Sequence, residues 1–72
     1  MAWVTVENSS NIKAYKYDED TQELQVEFHY GAEYVHYDVP ATAVTAFADS
    51  ESKGKHYNQF IKGVYRYSKL TA

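Results

Sequence analysis

Residues 23 to 30 alternate strictly, with Leu24, Val26, Phe28 and Tyr30 on one side and Glu23, Gln25, Glu27 and His29 on the other. A period of two belongs to a strand and not to a helix. Gly31 interrupts the alternation. A two-residue loop with glycine first fits a type II′ turn, because glycine tolerates a positive φ there. With Gly31 and Ala32 as that loop, Tyr30 faces Glu33, Phe28 faces Val35, Val26 faces Tyr37 and Leu24 faces Val39. Three apolar side chains thus meet apolar partners, and a slip of one residue would break all three pairings together. The opposite face pairs Gln25 with Asp38, Glu27 with His36 and His29 with Tyr34, a polar surface.

Two further extended stretches precede this hairpin. Trp3 to Val6 is short, aromatic and β-branched, and Ile12 to Asp18 alternates with Tyr15 and Tyr17 on one side. The polar run Asp18-Glu19-Asp20-Thr21 joins the second stretch to the hairpin, in residues that bond their own backbone. Pro40 ends the sheet, since it cannot donate to a ladder but suits the first turn of a helix. Beyond it the period changes to 3.6. Val44, Phe47 and Ala48 share one face, and Asp49-Ser50-Glu51 ends a short helix. Ser52 is placed to cap a second helix, in which Tyr57, Phe60, Ile61 and Val64 form one apolar stripe, with Gly63 near its end. Tyr65, Arg66 and Tyr67 alternate as an extended tail.

Both helical stripes need cover, and the meander offers one apolar face. The prediction is a single α+β domain over residues 1–72: an antiparallel meander of three or four strands with two short C-terminal helices packed on one face. Its expected core contains Tyr17, Leu24, Val26, Phe28, Val35, Tyr37, Val44, Phe47, Phe60 and Ile61.

Composition adds three constraints. Twelve aromatic side chains among 72 residues supply the burial that so short a chain otherwise lacks. There is no cysteine, hence no disulfide and no thiolate metal site. No apolar run reaches the length of a membrane span, and the first residues lack the basic start and apolar core of a signal peptide, so a cytoplasmic, membrane-free protein is expected. The net charge of −3 conceals a division: residues 1–52 carry ten carboxylates against Lys13 and Lys16, whereas residues 53–72 carry Lys53, Lys55, Lys62, Arg66 and Lys69 and no acid. The basic end either offsets the acidic sheet or offers a surface to an anionic partner.

An ordered set of short pieces runs through the chain: Ser10 and Ile12, Tyr17-Asp18, Leu24-x-Val26-x-Phe28, Gly31, Val39-Pro40, Ser52-Lys53-Gly54, Tyr57-Asn58, Ile61-Lys62 and Tyr65. In that order and at those spacings the chain resembles the KTSC domain, a short bacterial module named from the C-terminus of some lysyl-tRNA synthetases. The resemblance implies the α+β fold, and its attachment to a tRNA-handling enzyme implies RNA as a partner. One departure stands out. The family usually carries a central Tyr-x-Tyr; here the first position is Tyr34 but the third is His36.

Two candidate surfaces follow from the residues themselves. Ser52, Lys53, Gly54 and Lys55 open the second helix, where free backbone amides and positive charge suit a phosphate; the plainer reading is a helix cap with solvated lysines. The segment is not a P-loop, which needs a longer glycine-rich loop ending in Gly-Lys-Ser/Thr. With Lys62, Arg66 and Lys69, interleaved with tyrosines, the segment is a candidate interface for RNA or single-stranded nucleic acid. The alternative is a protein-interaction module for an unidentified protein partner, using His29, Tyr34 and His36 on the outer hairpin face. A flat exposed sheet face seldom converges ligands on a metal, so His29, His36 and Glu27 are not assigned as a zinc site. No cofactor motif is present. No nucleophile stands in a catalytic arrangement, and no enzyme is expected.

Overall fold

The computed structural model describes residues 3–7 and 9–70. Five strands form one antiparallel sheet in chain order: β1 (Val4–Thr5), β2 (Ile12–Asp18), β3 (Glu23–Phe28), β4 (Glu33–His36) and β5 (Tyr67–Lys69). Between β4 and β5 lie α1 (Ala41–Asp49) and α2 (Lys53–His56), and α2 runs directly into a π-helical turn (Tyr57–Ile61). The helices cover one face of the meander. The expected α+β architecture is therefore observed, with the basic tail added as a fifth strand against β4. Among the described residues, no helix is long and apolar enough to cross a membrane.

The β2–β3 ladder follows the alternation. Tyr15 stands opposite Val26 and Tyr17 opposite Leu24. The turn between them is held by the Asp20 amide donating to Asp18 Oδ1 at 2.9 Å. Near the start of β2 the register shifts between Ile12 and Ala14, a bulge that still leaves Ile12 inside and fully buried.

The β3–β4 hairpin departs from the expected register. Its loop holds three residues, His29, Tyr30 and Gly31, closed by the Phe28 amide donating to the Ala32 carbonyl at 2.9 Å and the Gly31 amide donating to the Phe28 carbonyl at 3.0 Å. Gly31 takes the left-handed position, with φ at 98°, after a tight turn. Both loop types need a glycine with positive φ, so Gly31 marked the turn without specifying its length. Val26 consequently pairs with Tyr34, and Leu24 with His36. The shift from the expected pairing is three residues, an odd number, and turns β4 over. Tyr34 and His36 face the helices, while Val35 and Tyr37 face away.

β4 permits this because Glu33-Tyr34-Val35-His36-Tyr37 has aromatic or apolar side chains on both faces. Val35 is still buried, between Gln25 of β3 and Ser68 of β5.

The core lies between sheet and helices. It contains Tyr15, Tyr17, Leu24, Val26, Phe28, Val39, Phe47, Tyr57 and Ile61, with Val44 partly buried against it. Phe47 of α1 meets Tyr15 edge-on, with ring centroids 5.1 Å apart. Three members of the expected core are outside it: Val35 is buried on the opposite face of the sheet, and Tyr37 and Phe60 are displaced as well. Tyr37 lies on the other face, under the Arg66 guanidinium at 4.8 Å. Phe60 is 55% exposed, and Val64 is 61% exposed.

The π-turn explains the loss of Phe60. The Lys62 amide donates to the Tyr57 carbonyl at 2.8 Å, five residues back. That wider turn carries Tyr57 and Ile61 inward and rotates the positions expected beside them to solvent.

Candidate functional site

The open end of the helix–sheet sandwich is lined by rings. Phe28 closes β3 and is the centre of the group. Tyr30, in the hairpin loop, lies nearly parallel to it at 5.4 Å with 22° between planes. Tyr34 and Tyr57 approach Phe28 edge-on at 5.6 and 5.3 Å, and Tyr67 of β5 meets Tyr34 edge-on at 5.6 Å. These rings enclose a pocket of about 430 Å³, completed by Asn11, Asn58 and the ammonium-bearing side chain of Lys62. That volume is in the range of small-molecule sites.

A second depression of about 250 Å³ lies beside it, lined by Ser9, Ser10, Ser52, Lys53, Gly54 and Lys55. Asn11 and Asn58 line both cavities, so the two adjoin across these side chains. The floor there is ordered locally. The Ile12 amide donates to Ser9 Oγ at 3.1 Å, and a His29 ring nitrogen lies 3.1 Å from the Ser9 carbonyl. Three lysines line the combined groove, and none of its described lining residues is an acid.

Beneath the pocket, Tyr57 Oη lies 2.8 Å from His36 Nε2. His36 is fully buried, and its Nδ1 has no hydrogen-bond partner among the described residues. Burial pushes the His36 pKa below its ordinary value, and the nearby Tyr65 backbone offsets only part of this, so the ring favours its neutral form. Burial raises the Tyr57 hydroxyl, with smaller contributions from Tyr34, Tyr30 and Tyr67, so it stays a protonated phenol at neutral pH.

The two sets of candidate residues are placed very differently. Ser52, Lys53, Gly54 and Lys55 line the polar depression, and Lys62 lines the aromatic pocket. Ser52 holds the N-cap position, with no side-chain capping bond. Charge in the groove comes from the lysines. Arg66 points elsewhere, 3.7 Å from Asp38. Lys69 stands opposite Tyr34 in the β4–β5 ladder. His29, Tyr34 and His36 do not share an outer face, a consequence of the turned-over β4. His29 is in the loop, Tyr34 is a wall of the pocket and His36 is inside. The pocket rings Phe28, Tyr30, Tyr57 and Tyr67 were not legible as a group, because they come from a strand end, a loop, a helix and the tail. The only sequence signal was an excess of tyrosines at element ends.

The chain matches the profile of the KTSC domain over residues 8–67. It belongs to the KTSC domain family. A crystal structure of a KTSC domain protein from Yersinia pestis has a TM-score of 0.88 to this chain at 31% identity, covering 97% of each. Lysine–tRNA ligase of Nostoc sp. is 40% identical over 62 residues, and that of Nostoc punctiforme is 37% identical. These matches cover 86% of this chain but only 11% of each ligase, so this KTSC domain spans about a tenth of those relatives. An uncharacterized protein of Stutzerimonas stutzeri is 40% identical, with 86% of this chain and 89% of that protein covered. Within the KTSC domain, Tyr34 and His36 sit side by side on the inner face of β4, and His36 is hydrogen-bonded to Tyr57. Among the described residues, no group of three or more His, Cys, Asp or Glu is placed to hold a metal ion.

Proposed function

We propose that this KTSC domain is a small non-catalytic module that binds single-stranded nucleic acid, RNA foremost, in the groove formed by the aromatic pocket and the lysine-lined depression. The observation that carries the reading is that the two cavities adjoin, sharing Asn11 and Asn58 in their walls. It sets exposed rings beside Lys62, Lys53 and Lys55, and single strands are held by that combination, bases on rings and phosphates on cations. The similarity to a segment of lysine–tRNA ligases supports RNA over DNA. Arg66 is assigned no part, being paired with Asp38, and Lys69 contributes charge from the adjoining strand.

A titration of the labelled protein with a short single-stranded RNA tests this. Amide shifts are expected at residues 52–55, 58 and 62 and at the pocket rings, with Kd on the order of 10⁻⁴ to 10⁻⁶ M. Lys53→Glu with Lys55→Glu is expected to abolish binding at moderate salt. Absence of any shift at millimolar RNA and low salt would sink the reading.

A second reading, protein docking, draws on a different patch. Phe60 and Val64 are exposed beside Ala43 and Ala46, in an almost wholly apolar hollow of about 380 Å³. That hollow is the better candidate for a protein partner, because His36 is out of reach and Tyr34 is reached only through the pocket. Shifts centred on Phe60 and Val64 on adding a partner protein would support it.

A further inference from the structure

We infer that the aromatic pocket holds a single unstacked base of the bound strand, with Lys62 at that nucleotide's phosphate and the Asn11 and Asn58 amides at the base edge. This rests on the nucleic-acid reading and assigns the pocket a distinct role within it. Strand binding by charge alone would need only the lysine-lined depression.

Three features select the occupant. The first is charge. A cage of aromatic rings is also the usual receptor for a quaternary ammonium, but such a cage excludes cations of its own. Here Lys62 lines the pocket, Lys53 and Lys55 stand in the adjoining depression, and no described lining residue is acidic. The pocket therefore suits a flat aromatic group that carries an anion. The second is the disposition of the rings. Tyr30 is 72% exposed and Tyr67 is 49% exposed, so beyond their contacts with Phe28 and Tyr34 both leave aromatic surface open at the rim. Tyr34 and Tyr57 stand at 82° and 73° to Phe28. Rings crossing at such angles let a flat guest stack on one and meet another edge-on, both favourable arrangements. The third is the π-turn. Its five-residue hydrogen bond from Lys62 to Tyr57 draws these two positions together on the pocket side, with Asn58 next to Tyr57. Such turns recur at functional sites. Each Asn amide both donates and accepts, the equipment needed for a base edge.

The test uses uridine hexaribonucleotide and a six-ribose abasic strand with the same phosphates, against the full chain and against Tyr30→Ala and Tyr67→Ala. Both side chains are exposed enough to be removed without opening the core. The abasic strand is expected to bind the parent on the order of tenfold more weakly than the hexanucleotide, and each variant to lose a comparable factor for the hexanucleotide alone. Uridine 5′-monophosphate is expected to shift the amide of Asn58, at the base edge, and ribose 5-phosphate is not. Equal binding of the two strands, with shifts confined to residues 52–55, would overturn the base pocket while leaving the lysine groove standing. Loss of abasic affinity in the variants would overturn it too, since the rings would then act through the fold. No binding of either strand would overturn both readings.

Discussion

His36 is where a single residue departs most from its expected role. Expected on the outer face of the hairpin as a protein-binding residue, it proves to be the buried partner of Tyr57, with Nε2 hydrogen-bonded and Nδ1 without a partner among the described residues. Its folded pKa is lowered by burial, so between that value and the ordinary one near 6.5 the unfolded chain binds the proton more readily. The full stability is therefore present above about pH 6.5 and is lost as pH falls toward the folded pKa. Part of that stability is lost on going from pH 7.5 to pH 5.5, which matters for a domain this small. Melting curves at pH 7.5 and 5.5 should show a larger drop for the parent than for His36→Gln. The difference between the two drops, not the absolute melting temperature, is the quantity to read; equal drops would place the titration elsewhere.

At the scale of elements, the hairpin loop and the π-turn make the same point about backbone geometry. Each changes a residue count by a small number and thereby changes which side chains face inward. In the loop, three residues replace two and β4 turns over. In the helix, one hydrogen bond from Lys62 to Tyr57 buries Ile61 and exposes Phe60. Two substitutions separate this π-turn from a regular helix. Phe60→Lys should leave stability within about 0.5 kcal/mol, as for other exposed positions. Ile61→Ala should cost roughly 2–5 kcal/mol, because it empties a fully buried site. Denaturant unfolding of both variants checks the pair. A regular α-helical stripe would make Phe60→Lys severe as well, through a buried charge.

For the whole molecule, what matters is where the cations gather. Lys13 and Glu27 pair at 3.8 Å on the sheet face away from the helices, and Glu23 lies along that same face. Lys53, Lys55 and Lys62 gather instead in the groove at the helical side. A net charge of −3 is therefore compatible with local attraction of an anionic strand. Three lysines meeting three phosphates set a salt slope of about −2 in log–log form for a single strand. Between 50 and 200 mM salt the affinity for RNA should fall roughly twentyfold. Fluorescence anisotropy across that range measures the slope. A value near zero would mean that the lysines are bystanders and the rings alone hold the ligand.

The strands, the two helical regions, the single layer of helices and most of the core were determined by the chain's own periodicity, since Leu24, Val26 and Phe28 have only one way to leave water together. Tyr15 opposite Val26 and Tyr17 opposite Leu24 follow from the same alternation, anchored by a polar turn of evident length. What tertiary structure alone decided was the facing of β4, the turn of the second helix and the site. β4 carries rings and aliphatics on both sides, so its facing was settled by what it could bury: His36 against Tyr57, Tyr34 against Phe28, and Val35 beside the fifth strand. The groove shares that origin. Ser9 and Asn11, Lys53 and Lys55, Asn58 and Lys62, Tyr30 and Tyr67 are far apart along the chain, and local pattern carries no information about contacts that only closure of the sheet against the π-turn creates.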